Sequence, residues 1–420
     1  MTAGSRGDAA PYTGLGHGLA RGGHEVTVVT HACFEPLVAA AGVGFHPLPL
    51  DPRAELESAR GRALHRSATG VGKMARMVGM TRSLVGRMAD DLVAAAGSAD
   101  VLLLSSSLSP LGHTIAEGYG LPSMGVFLQP LAPTAEFAPP VIGTRSLGAV
   151  GNRLAGRAVN AAVDRIFADT TRALRARLGL PPVGSRASRR ARERRDWQVH
   201  HGFSPLVVPR PGDWRPGLGV AGYWWPYDVA PRLPDALEDF LDAGPAPVFF
   251  GLGSATVPDA ERLGEEVVRA LRAAGLRGVV QRGWAGLSAD GDGDGDGDGD
   301  GEDMFTVDEV PHSALFPRMA AVVHHAGAGT TAAALRAGVP AVPVPIQFDE
   351  AFWAARLVSL GVAPTAVPLR GLTAGALGAA VTRAVAEPAY ARRAQELAGR
   401  LRDEDGVGPV LTAVDRLAGG

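Results

Sequence analysis

Short apolar runs alternate with amphipathic stretches along most of the chain, the pattern left by strands and helices of open α/β sheets. Strands are expected at 24–30, 43–48, 100–105 and 122–127, with helices at 11–21, 34–41, 111–119 and 147–178. Between 72 and 96 a longer helical stretch places Met74, Met77, Leu84, Val85 and Met88 on one stripe beside Arg76, Arg82 and Arg87. That stripe reads as core-facing with a solvated basic edge; a Met-lined wall for an apolar acceptor, or a membrane-surface helix, is the alternative. Further on, strands are expected at 247–251, 278–281, 304–307, 321–323 and 341–344, and helices at 258–274, 374–386, 390–401 and 410–417. Residues 129–145 have no clear period and form a long loop of the kind that tends to be functional. Ahead of the first helix stand too few residues for a full strand, so either the true start lies upstream or the first strand is cut to a stub.

The segment 209–234 is crowded with Pro, Gly and aromatics and marks a crossing between two halves. The expected organisation is an N-terminal α/β domain (1–215), a linker (216–235), a second α/β domain (236–402) and a C-terminal helix (403–420). A length of 420 residues suits two cores better than one.

Composition narrows the function classes. A formal net charge of −2 removes a global electrostatic case for nucleic acid, and the arginine run at 186–195 reads as a solvated helix face or mobile loop, with anionic lipid or nucleic acid binding as the alternative. A single cysteine, Cys33, excludes an intrachain disulfide and a multi-Cys zinc site. No run approaches the apolar length that spans a bilayer, so a cytoplasmic location is expected, with peripheral membrane contact left open. A strict Asp-Gly alternation at 290–301 cannot bury apolar surface and lacks the period of calcium-binding rolls.

The chemistry concentrates at 321–353. His324 and His325 follow a strand, Gly327 and Gly329 open a helix, and Thr330 adds a hydroxyl, so an imidazole and helix N-terminal amides can meet one diphosphate. Donors fixed where charge develops favour departure of an anionic leaving group. Asp349 and Glu350 follow the next strand, where carboxylates can accept hydrogen bonds from sugar hydroxyls; a solvated corner is the plainer reading. Near the start, Gly4-Ser5-Arg6-Gly7-Asp8 precedes a helix, with Asp8 as a candidate base, or merely a cap for that helix. A rival exists: residues 327–332 fit the G-x-G-x-x-A dinucleotide fingerprint, with Asp349 near the place of a ribose-binding acid, which is the mark of an NAD-linked oxidoreductase.

The segments HHAGAGTTAAALRAGVP and PIQFDEAFWAARL resemble the donor-binding region of family-1 nucleotide-sugar glycosyltransferases, in the branch of sterol glucosyltransferases and vancomycin-type antibiotic glycosyltransferases. GSRGD, FSPLVVPRPGDW, GYW, GSA and VPHSALFP extend the likeness over nearly the whole chain. The resemblance implies a GT-B fold, two Rossmann-like domains facing across a cleft, with a terminal helix crossing back. It implies inverting, metal-independent transfer with no cofactor beyond a UDP- or dTDP-sugar co-substrate, and a lipophilic small-molecule acceptor. Asp8 then matches the catalytic base. Ser254, His325, Gly327, Gly329 and Thr330 match diphosphate binders, Trp284 and Val310 the nucleobase neighbours, and Asp349 and Glu350 the sugar-binding pair. Glu350 stands where Gln is usual, which leaves the donor sugar open. A catalytically weak GT-B protein that binds nucleotide sugar or assists a partner transferase is the second reading.

Overall fold

The computed structural model describes residues 1–57, 86–228, 231–289 and 303–419. The Asp-Gly run and most of the Met stripe (Met74, Met77, Leu84, Val85, with Arg76 and Arg82) lie outside the described residues; within them Met88 is buried and Arg87 exposed. The chain divides into two compact units. One comprises Met1–Pro139, Arg145–Tyr227 and Asp405–Gly420, the other Pro140–Thr144 and Asp228–Glu404.

In the first unit β1 (Thr27–His31) pairs in parallel with β2 (Gly44–Leu48). Strands β3 (Leu102–Leu104), β4 (Ser123–Phe127), β5 (Val199–His201) and β6 (Leu218–Val220) form a second parallel ladder in that order. The opening stub joins the two ladders. The Met1 amine donates to Leu103 O at 2.8 Å and Ser105 N donates to Met1 O at 3.0 Å, while Thr2 N donates to Val29 O at 2.9 Å on the other side. Residues 1–3 thus do a central strand's work with few residues, because both neighbours supply hydrogen bonds. Strand β6 falls inside the stretch expected to be a linker. It and β5 are three-residue segments, too short to show a period.

The first helix, Arg6–Arg21, starts ahead of the expected position 11. Its third residue, Asp8, turns back so that Oδ2 accepts from Ser5 N at 2.8 Å, half of a capping box that fixes the start upstream of Pro11. Pro11 then sits inside the helix, where its missing N–H removes one helical hydrogen bond. Leu15, Leu19 and Tyr12 pack with Met124, Val126 and the last helix's Val410, Ala413 and Val414, so residues after Asp405 complete this unit's core. Each fully buried aliphatic there contributes roughly 1.5–3 kcal/mol.

The second unit is a five-stranded parallel sheet: β7 (Val248–Gly251), β8 (Gly278–Gln281), β9 (Met304–Val307), β10 (Ala321–His324) and β11 (Ala341–Pro343), in the order β11-β10-β7-β8-β9. Val248, Phe249 and Phe250 are each fully buried, as a strand covered on both faces requires. Strand order reverses between β7 and β10, whose following connections leave in opposite directions. In such sheets this reversal opens a crevice at the carboxyl ends. The first unit has the equivalent reversal between residues 1–3 and β3.

Candidate active site

The second unit's reversal point is built from two glycine turns around one imidazole. Strand β10 ends at His324; Ala326 takes φ 63, and Gly327 caps the helix Ala328–Ala337. A non-glycine residue in that left-handed region is strained, and a hydrogen bond offsets it: Ala326 N donates to His324 Nδ1 at 3.1 Å. His324 is wholly buried and therefore belongs to the scaffold of the turn. His325 is different. Its ring lies across Gly327, where a β-carbon would collide with Nε2, and against Gly253, whose hypothetical β-carbon would stand 3.0 Å from Cε1. Gly253 itself has φ +57, and its carbonyl accepts from Trp284 N at 3.0 Å.

Ser254, Trp284, His325 and Gly327 are thereby drawn to one place by the ends of β7, β8 and β10. Gly329 and Thr330 occupy the first turn of the helix that points its N-terminus there. Burial lowers the His325 pKa to about 4, so the ring is neutral near pH 7 and can donate a proton from one nitrogen. His325 Nδ1 and the hydroxyl of Thr331 are buried and make no hydrogen bond within the protein. Buried polar atoms in that state suit a polar ligand.

The acidic pair is not the solvated corner of its plainer reading. Glu350 is 7% exposed, and its Oε2 accepts from Ile346 N at 2.6 Å and Gln347 N at 2.8 Å, which ties down the turn before the helix Glu350–Ser359. Burial raises its pKa to about 7 in spite of those two amides. Asp349 Oδ2 accepts from Trp353 Nε1 at 2.7 Å, and burial raises its pKa as well. A dinucleotide's ribose acid belongs at the end of the strand after the helix. Asp349 instead lies well past Pro343, the end of β11, and holds an indole, so the NAD reading loses its second anchor. Val310 is 7% exposed within the core beside Leu315 and Phe316, which leaves only its backbone to meet a base.

In the first unit Asp8 lies at the other reversal point. Its Oδ2 accepts from Ser5 N at 2.8 Å and from Ser5 Oγ at 3.1 Å, and it lies over Gly4, where a β-carbon would collide with the carboxylate. The cap and the candidate base are one residue. Sequence reasoning marked Gly253 only as part of the GSA motif and did not single out Ala326; the roles of both depend on backbone angles that a sequence does not display.

The chain matches the Glycosyltransferase family 28 N-terminal domain over residues 1–138 and the Erythromycin biosynthesis protein CIII-like C-terminal domain over residues 301–414. It is 34% identical over 426 residues to O-mycaminosyltylonolide 6-deoxyallosyltransferase of Streptomyces fradiae, covering 100% of this chain and 96% of that one. It is 31% identical over 429 residues to a sterol 3-beta-glucosyltransferase of Arabidopsis thaliana, covering 98% of this chain and 64% of the plant protein, so it spans a little under two thirds of that relative. Among solved structures, the glycosyltransferase of kitacinnamycin superposes with a TM-score of 0.67 at 20% identity, covering 99% of this chain and 97% of the other. VinC, solved in complex with dTDP, superposes with a TM-score of 0.65 at 20% identity, covering 99% and 98%. The fold is GT-B, and the chain belongs to the glycosyltransferase family that contains the sterol glucosyltransferases and the macrolide-antibiotic glycosyltransferases.

Proposed function

We propose that this protein transfers a sugar, with inversion, from a UDP- or dTDP-sugar to a hydroxyl of a lipophilic acceptor such as a natural-product aglycone or a sterol. The observation that carries this reading is the His325 imidazole, seated over Gly327 and Gly253 beside the N-terminus of the helix Ala328–Ala337. A diphosphate there would meet the imidazole N–H, the Thr330 hydroxyl, Ser254 and the helix amides, with Trp284 and the Val310 backbone toward the base. Asp349 and Glu350 are assigned to the sugar, with Asp349 the better placed because Glu350 Oε2 already holds two backbone amides.

In the transfer, the acceptor oxygen forms a bond to the anomeric carbon on the face opposite the nucleotide. The bond from that carbon to the diphosphate oxygen breaks, its electron pair leaving with the diphosphate, and the acceptor proton passes to the Asp8 carboxylate. The hydrogen-bond donors assigned to the diphosphate carry the charge that a metal supplies in other transferases, so turnover is expected to survive a chelator. The acceptor is assigned to the N-terminal unit.

The experiment is a matrix of UDP- and dTDP-sugars against hydrophobic acceptors, read by mass spectrometry for a product heavier by one glycosyl residue. Nucleotide-sugar binding with no product across a broad panel would favour the second reading, a donor-binding or partner-assisting protein. That reading draws on the engagement of Asp8 as a helix cap.

A further inference from the structure

The peptide that joins Ala3 to Gly4 is held at both ends, and the groups holding it have no place in the chemistry described above. Its N–H, on Gly4, donates to His31 Nε2 at 3.1 Å. Its carbonyl, on Ala3, accepts from Ser107 Oγ at 2.9 Å, and Ser107 Oγ lies 2.9 Å from Ser105 Oγ, which supplies the relay's next hydrogen. His31 closes β1 and Ser105 follows β3, the two strands that flank residues 1–3, so the clamp spans the sheet's reversal point. Gly4 has φ +147, a conformation that side-chain-bearing residues rarely adopt, and the Asp8 carboxylate lies where its β-carbon would be. Glycine leaves that peptide free to rotate unless something outside holds it.

We infer that His31 and Ser107 are positioning residues that fix the Ala3–Gly4 peptide and so hold the seat of the Asp8 carboxylate. This rests on the reading of Asp8 as the base. His31 is 4% exposed, and as an acceptor at Nε2 it must be the neutral Nδ1–H tautomer. Burial, which lowers its pKa, keeps it neutral. Thr2 Oγ1 donates to Asp8 O at 2.7 Å, so the same short segment also grips the helix backbone at the base itself.

The test compares His31→Leu, His31→Gln and Ser107→Ala, each alone and combined with Asp8→Asn, in the full chain with the best acceptor of the panel. His31→Leu is expected to lower kcat about 10- to 100-fold, the scale of a carboxylate misplaced by a fraction of an ångström to an ångström. The affinity for dTDP or UDP, bound by the other unit's residues, is expected to stay within about twofold. Gln carries an acceptor oxygen near the place of Nε2, so His31→Gln is expected to recover most of the loss, and Ser107→Ala to lower kcat severalfold. In the Asp8→Asn background none of the three should lower turnover further.

Full turnover in His31→Leu, or an equal loss with and without Asp8, would overturn the inference while leaving Asp8→Asn inactive. Full turnover in Asp8→Asn would instead remove the base assignment and the clamp's catalytic purpose with it. Should His31→Leu fail to fold, the exposed Ser107→Ala decides the matter: full turnover in it, or an equal loss with and without Asp8, overturns the inference.

Discussion

The imidazole of His325 occupies the space above Gly327 that any side chain at that position would need. The glycine therefore admits the ring, and the helix that begins there aims its amides at the same point. Gly327→Ala should displace the ring and weaken dTDP or UDP binding about 10- to 100-fold, the range of one or two hydrogen bonds to a charged group. Isothermal titration measures it. Unchanged affinity with an intact fold would remove His325 from the diphosphate site.

Glu350 gives a stability prediction with a definite sign. Its folded pKa, about 7, stands above the ordinary 4.5, so ionising it in place opposes folding, with the penalty absent below pH 4.5 and complete above pH 7. Gln at this position keeps an oxygen for Ile346 N and Gln347 N and removes the buried charge. The Glu350→Gln protein should melt above the parent at pH 8, and the gap should close as pH falls toward 4.5. A lower Tm at pH 8 would contradict this.

Buried histidines act in the opposite pH sense. Burial is the leading cause that lowers His113, His201 and His325 to about 4 and His324 to about 3, from 6.5 when exposed. The unfolded chain takes up these protons first, so stability is full above pH 6.5 and falls as pH drops through 6.5 toward 4. Scanning calorimetry between pH 7.5 and 4.5 should show a falling Tm even though relief at Glu350 works against it. His324→Asn, which retains an acceptor for Ala326 N, should reduce the acid slope. A Tm independent of pH over this range would exclude the effect.

Asp8 serves two ends that mutation can separate. Ser5→Ala removes the hydroxyl donor 3.1 Å from Oδ2 but leaves the Ser5 N–H at 2.8 Å, so turnover should remain within a few fold. Asp8→Asn should lower kcat by about 10²- to 10⁴-fold as a lost general base, with about 1 kcal/mol of stability at most from the weakened cap. If both variants lose turnover equally, the carboxylate's role is structural.

The strands at 278–281 and 304–307 and the helix at 374–386 were legible from their apolar periods, because burial on a known face leaves a pattern in the residues. The glycine turn around His325 was legible for a related reason: only glycine admits a ring or a phosphate so near the backbone. Other features left no such trace. β5 and β6 are too short for a period, and the start of the first helix is set by Asp8 turning back to Ser5, which competes with the signal of Pro11.

By itself, then, the sequence determined two α/β halves, the glycine turn at 325–330 and the family to which the chain belongs. These reside in composition, local period and contiguous motifs. The tertiary structure alone decided that Met1–Ala3 complete a sheet, that Glu350 faces its own backbone, and that His31 and Ser107 grip one peptide beside Asp8. Each is a hydrogen bond whose partner is chosen by how strands and turns assemble. Donor and acceptor types can be read along a chain, but their pairing exists only once the fold has removed the alternative partner, water.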